Sequence, residues 1–463
     1  MLHAHLGQGA VCRSVERGPI GNGQETWFLH LSGPDGSPAS ADEVQRRLVL
    51  RRTAPAGPLE WTSRTAEATV MRAAAAAGVP VPEVHLVETD PEVLGAPFML
   101  MDFVPGVPLV RTPRAQREQL SADLMTHLAA LHRAGLADPD ERDAAEATRA
   151  EISRWRRRAV GNAVPPPPLV EGLLSWAHAA VPAALAEVPA VQLWGDAGAH
   201  NALGEAGEVT GLLDWELAHF GHPLEDLAAA IWMEGDHGVP QRALVEAYEA
   251  AAEHSVDPEV LRFFLALTCV TRSIMILAGA AAFATGRSNA PNLAGLGLDL
   301  PAQTLGRAAE LAGWGTVEDR SAEIGSAESA AADPTTEAQT GVGPRPSGAE
   351  IDEGVARFLR DDVLPMIDDG RTRRGLKTAA ALLETAAVRA HHEPAVQSRR
   401  TMAEAGLRAT LRDRGLTGDL GEIAARVESE DVLADLRPAV RRFLLDDLAL
   451  DRALLGPLRR LYE

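Results

Sequence analysis

Asp196 and Asn201 stand five positions apart in WGDAGAHN, on a loop that Gly195 frees from ordinary backbone limits. Thirteen residues beyond Asn201, Asp214 ends the apolar run TGLLD and opens DWE. A hairpin between the two would return the Asp214 carboxylate toward Asn201, so that two hard oxygen ligands converge on one cation. Of Asp196 and Asn201, one can act as a base and the other as a metal ligand. Phosphoryl transfer needs a carboxylate to orient the attacking hydroxyl, oxygen ligands for Mg, and cations or backbone amides around the triphosphate. Singly, Asp and Asn are ordinary turn and capping residues; the joint spacing is what suggests chemistry.

The elements that must hold these residues can be read from local pattern. GPIGNGQ, residues 18–24, runs into TWFLHL, residues 26–31, as a strand, glycine-rich loop, strand unit. RRLVLRR, residues 46–52, suits a third strand. Ser63 can cap a helix that Gly78 stops, and HLVETD and APFMLMDFVPG supply two more strands, giving five strands and one helix. From SADLMTHLAALHRAG to about residue 310 the apolar spacing is three and four, which predicts helices. Within them, NALGEAGEVTGLLDWE reads as a hairpin turning at AG. The expected class is α+β. The expected domains are a sheet-based lobe over 1–103, a helical lobe over 104–315, a flexible linker over 316–347 and a helical module over 348–463.

Bulk properties narrow the partners. A net charge of -21 argues against nucleic acid or an anionic membrane, and two cysteines in 463 residues suggest a reducing, cytoplasmic setting. MLHAHLGQGAVCRS does not read as a signal peptide. The apolar stretch from Phe263 to Gly286 is interrupted by Arg272 and reads as a buried helix rather than a membrane span. Arg154 to Arg158, RWRRR, is the densest basic run; a solvated helix face is expected there in preference to a phosphate contact. His200, His219 and His222 lack zinc-site spacing, and His222 is expected to support the loop.

The order G-D-x-x-x-x-N, hairpin, D-W-E, then G-H-P-L-E-D-L resembles the aminoglycoside phosphotransferase and choline kinase-like family, cousins of the protein kinases, over roughly residues 10–310. That resemblance implies a bilobal protein-kinase-like fold. It implies Asp196 as catalytic base, Asn201 and Asp214 as Mg ligands, and Asp226 as a buried carboxylate bracing the catalytic loop. Gly21, Asn22 and Gly23 look like the family's phosphate-covering loop, Arg51 like its phosphate-pairing cation, and Glu67 like that cation's helical partner. Asp102 and Val104 fall where backbone groups of a hinge would bind adenine. Trp194 stands where the family often has His, so packing is expected to replace a hydrogen bond. The only lysine is Lys377, so the phosphate cation must be Arg51 or Arg52, and the VLR match favours Arg51.

The resemblance implies ATP- and Mg-dependent transfer of the γ-phosphate to a small-molecule hydroxyl. The WGD and DWELA wording is closer to the kinase-like domains fused to acyl-CoA dehydrogenases than to drug-resistance enzymes, a resemblance that implies a hydroxyacyl thioester or hydroxy acid as acceptor. An aminoglycoside or amino alcohol is the alternative within the family, and a nucleotide-binding scaffold of pseudokinase type is the alternative outside catalysis. AEIDEGVARFLRDDVLPMI resembles an uncharacterised helical domain found with such phosphotransferases.

Overall fold

Leu29, Leu31, Leu48 and Leu100 bury one face of an antiparallel sheet, joined by the half-buried Cys12, Leu50 and Leu86. In this computed structural model the described residues are 11–18, 24–32, 47–53, 62–317 (except 137, 163, 235–237 and 289) and 348–453. Gly21, Asn22 and Gly23, and nearly all of the segment read as a linker, lie outside them. The sheet contains β1 (Val11–Arg17), β2 (Gln24–Ser32), β3 (Arg47–Thr53), β4 (Val84–Glu88) and β5 (Phe98–Asp102), in the spatial order β1-β2-β3-β5-β4. Arg51 of β3 pairs with Thr26 on one side and Met99 on the other.

Helix α1 (Arg64–Ala76) packs against β4 and β5. Ser63 caps it by accepting from Ala66 N at 3.4 Å, and Gly78 follows it at φ +82°. Its inward stripe is Arg64, Glu67, Ala68, Met71 and Ala74, so two charged residues head an otherwise apolar face.

Two units divide the chain: Met1–Ser153 with Val181–Thr268, and Arg154–Ala180 with Cys269–Glu463. Besides the sheet, the first unit holds α2 (Arg114–Arg133), most of α3 (Ala144–Gly161), and three short strand pairings. β6 (Val107–Pro108) pairs with β8 (Ala202–Glu205), β8 with β9 (Glu208–Leu212), and β7 (Val191–Leu193) with β10 (His219–Gly221). The β8–β9 turn is Ala206 at φ 53° and Gly207 at φ 90°, the double left-handed geometry of a two-residue hairpin. Helices α5 (Leu224–Glu234) and α6 (Gln241–Ala252) follow, with α6 packed on α2.

The second unit contains α4 (Pro168–Ala179), most of α7 (Pro258–Ala284), α8 (Pro291–Leu311), α9 (Gly348–Phe358), α10 (Gly370–Arg412), α11 (Leu420–Ser429) and α12 (Arg437–Ala453). Gly172 lets α4 close on its neighbours, since a Cβ there would lie 3.2 Å from Trp314 and 3.4 Å from Ala424. Arg441 grips Glu428 with two hydrogen bonds and lies 4.7 Å from the Trp314 ring centre. In the RWRRR run, Arg156 pairs with Glu171 at 2.7 Å and Arg158 stacks on Trp155, so both arginines make contacts within the protein. Helix α7 alone among the described residues is long and apolar enough to cross a membrane, and 72% of its most apolar window is buried in protein.

Candidate active site

The WGD loop leaves β7 at a position where only glycine fits. Gly195 has φ +83°, and a Cβ on it would lie 2.2 Å from Leu217 O. The loop is then hung from one fully buried carboxylate. Asp226, in the first turn of α5, accepts from Trp194 N and Gly195 N, each at 2.8 Å. His132 Nε2 lies 3.1 Å from the same Asp226 oxygen that Trp194 uses, and His132 Nδ1 lies 2.8 Å from the Tyr248 hydroxyl. Trp194 does more than pack: its indole Nε1 donates to Leu213 O at 2.9 Å, tying the WGD loop to the DWE segment. The expectation of packing in place of a hydrogen bond is corrected here, because an indole carries both an apolar face and a donor.

Beyond the loop, Asn201 Nδ2 donates to Asp196 Oδ2 at 2.7 Å, and His200 Nε2 lies 3.3 Å from that oxygen. Leu213 N donates to Asn201 O at 2.8 Å, which sets Asp214 beside Asn201 at the foot of the hairpin. Asp214 itself takes the left-handed conformation, φ 63°, which Asp tolerates better than most residues.

The β3 arginines separate by strand alternation. Arg51 points inward, its Nη1 donating to Glu67 Oε1 at 2.9 Å and its Nη2 to Asp214 Oδ1 at 2.7 Å. Arg52 turns to the other face and pairs with Glu25 through Nε at 2.7 Å. At the proposed hinge, Asp102 N donates to Glu83 O at 3.0 Å, while the Asp102 carboxylate engages His85 at 2.7 Å. Val104 lies over β9, where a Cβ on Gly211 would sit 2.9 Å from Val104 Cγ1.

Comparison with known proteins now decides the family: the APH profile, which describes a phosphotransferase enzyme family, matches residues 20–264, more than half of the chain. The chain belongs to the APH phosphotransferase family. It is 28% identical over 199 residues to mouse (Mus musculus) acyl-CoA dehydrogenase family member 10, covering 40% of this chain and 18% of that protein. It is 30% identical over 235 residues to chicken (Gallus gallus) acyl-CoA dehydrogenase family member 11, covering 48% of this chain and 28% of that protein. The chain thus spans less than a third of either relative. A solved candidate aminoglycoside phosphotransferase from Ralstonia eutropha shares the fold, with a TM-score of 0.51 at 22% identity over 67% of this chain and 96% of that one. The fold is the bilobal, kinase-like α+β arrangement, with an antiparallel sheet followed by a mainly helical remainder.

In this member of the family, Glu216 of DWE makes more contacts than its motif position suggests. Its Oε2 accepts from Gln24 at 2.7 Å, Arg64 at 2.9 Å and Thr62 at 3.1 Å. Burial, reinforced by the charge of Asp214, pushes its carboxyl up to about 7 against the opposing pull of Arg51 and Arg64. Burial alone would lower the Arg51 pKa, but Asp214, Glu67 and Glu216 outweigh it and raise it, so Arg51 stays charged. Arg64, Gln24 and His132 were not singled out from sequence. A charged residue repeating within an apolar helical stripe, as Arg64 does, was the available signal.

The flanking histidines are structural. His222 Nδ1 accepts from Leu224 N at 3.2 Å at the start of α5 and stacks on Phe264; burial, with His132 and His254 nearby, lowers it to about 4, so it is neutral. His219 lies 3.1 Å from Glu225 Oε1 and 2.9 Å from Leu217 O; burial opposes its charge, but Glu225 and Glu151 raise it to about 9. A folded-state pKa above the unfolded value stabilises fully below pH ~6.5 and is lost as pH rises through about 9. Urea-unfolding free energy is therefore expected to fall by on the order of 3 kcal/mol between those limits, and a His219→Gln variant should flatten that slope. An unchanged slope in the variant would remove His219 as its cause.

Proposed function

We propose that this enzyme is a small-molecule kinase that uses ATP and Mg, with a hydroxyacyl-CoA or hydroxy acid as acceptor. The observation that carries the reading is that Asn201 bonds the Asp196 carboxylate while its own backbone carbonyl accepts from the residue before Asp214. Asn201 holds Asp196 Oδ2 at 2.7 Å, and the Leu213-to-Asn201 bond of 2.8 Å brings Asp214 alongside. These donors fit Mg by their chemistry, since an amide oxygen and a carboxylate are hard ligands and Mg typically takes only one or two protein oxygens beside phosphate and water. Asn201 and Asp214 would hold the ion, which when bound neutralises phosphate charge.

The chain's own residues supply the remaining chemistry. Asp196 accepts the proton of the acceptor hydroxyl, with its carboxylate held in aim by Asn201. Arg51, retained by Glu67, offers its second nitrogen to phosphate oxygens. The backbone at Asp102 and Val104 would receive adenine, and the loop at Gly21, Asn22 and Gly23 would cover the phosphates. Asp226 keeps the loop carrying Asp196 in place. The acyl preference is supported by the names of the mouse and chicken relatives. The net charge of -21 favours the cationic alternative, an aminoglycoside or amino alcohol.

A panel of hydroxyacyl-CoA species, hydroxy acids, amino alcohols and aminoglycosides, with phosphorylated product detected by mass, tests the proposal. Phosphate is expected on the acyl class. Product on aminoglycosides alone would reverse the acceptor, and nucleotide binding without any Asp196-dependent turnover across the panel would make the protein a scaffold.

A further inference from the structure

Five side chains joined by four ion pairs form a ring beside the proposed phosphate site, closed by the backbone between Asp214 and Glu216. Asp214 binds Arg51, Arg51 binds Glu67, Glu67 binds Arg64, Arg64 binds Glu216, and Glu216 returns to Asp214 through a single intervening residue. The ring is dry at one end and open at the other. Arg64 and Glu67 side chains are 0% exposed and Glu216 is 4% exposed, whereas Asp214 is 31% exposed. It also collects three segments, because Gln24 at the start of β2 and Thr62 just before α1 bond to the Glu216 oxygen that Arg64 uses.

Buried ion pairs are often no better for stability than well-packed apolar residues, so a ring of ion pairs on the inward face of α1 calls for another reason. We infer that Arg64 and Glu216 are positioning residues of the phosphate clamp: they anchor Glu67 and thereby aim Arg51, whose outer arm exchanges between Asp214 and nucleotide phosphate. The exchange takes place at the exposed end. The buried end stays fixed, because moving Arg64 would take an ion-pair partner from both Glu67 and Glu216 in a low-dielectric interior. Such an anchor suits a clamp built from arginine, whose long side chain must be held on one nitrogen while the other is offered to phosphate.

The inference rests on the nucleotide reading of this site, and the test separates the two. Arg64→Met, Glu216→Met and the double variant would be compared with the full-length wild type for melting temperature and, by calorimetry, for affinity toward ATP·Mg and toward adenosine. Each single change should lower the melting temperature by taking one ion-pair partner from a buried charge, and the double change should recover most of it. ATP·Mg affinity should nevertheless stay roughly tenfold or more weaker in all three variants, about 1.4 kcal/mol, with adenosine affinity unchanged. Should a single variant fail to fold, the double decides. A double variant with both native melting temperature and native ATP·Mg affinity would reduce the ring to a structural device. Wild type that binds no ATP·Mg would bring down the nucleotide reading and this inference with it; wild-type binding matched by every folded variant would overturn the inference alone.

Discussion

Asp196→Asn is expected to lower phosphoryl transfer by ~10²–10⁴-fold while ATP·Mg affinity changes no more than about threefold. The substitution keeps shape and an oxygen that can accept from Asn201 Nδ2, now 2.7 Å from Asp196 Oδ2, but removes the basicity that takes the hydroxyl proton. Single-turnover rates and calorimetric nucleotide binding on the same preparation read the two effects separately. A parallel loss of affinity and rate would make Asp196 a ligand rather than a base. Little loss of either would leave it outside the reaction.

The second large effect lies behind the loop. Asp226→Leu should cost about 2–6 kcal/mol in urea unfolding, because it strands one buried and one part-buried backbone donor at roughly 1–3 kcal/mol each and takes one of two partners from a buried histidine. Those donors, Trp194 N and Gly195 N, each meet Asp226 at 2.8 Å, and the carboxylate is 0% exposed. Asp226→Asn retains one acceptor oxygen and should recover about half of the loss. Turnover should drop in both variants even under conditions where they remain folded, since Asp196 is the next residue along the suspended chain. Native-like stability of the leucine variant would show that the loop is held by other contacts.

Much of this arrangement was legible because it is local. The AG turn, with left-handed Ala206 and Gly207, dictates the β8–β9 hairpin, and the hairpin dictates that Asp214 returns to Asn201. Ser63 and Gly78 delimit α1, and period-two alternation locates the β3 strand that carries Arg51. The roles of Trp194 and Glu216 were harder to read. An indole donor reaches Leu213 O from 19 positions away, and Glu216 meets Gln24 across 192 positions, so neither contact leaves a periodic trace.

By itself, then, the sequence determined the family and the placement of the candidate base and two candidate oxygen ligands, spaced on a loop and hairpin whose geometry follows from neighbouring residues. Only the tertiary structure decided how the proposed phosphate clamp is built. Strand register turned Arg51 inward and Arg52 outward, and the approach of α1 to the DWE segment joined Arg64 to Glu216 across 152 positions. The physical reason is that charge pairing between distant segments depends on where packing leaves each side chain and on how little water remains there.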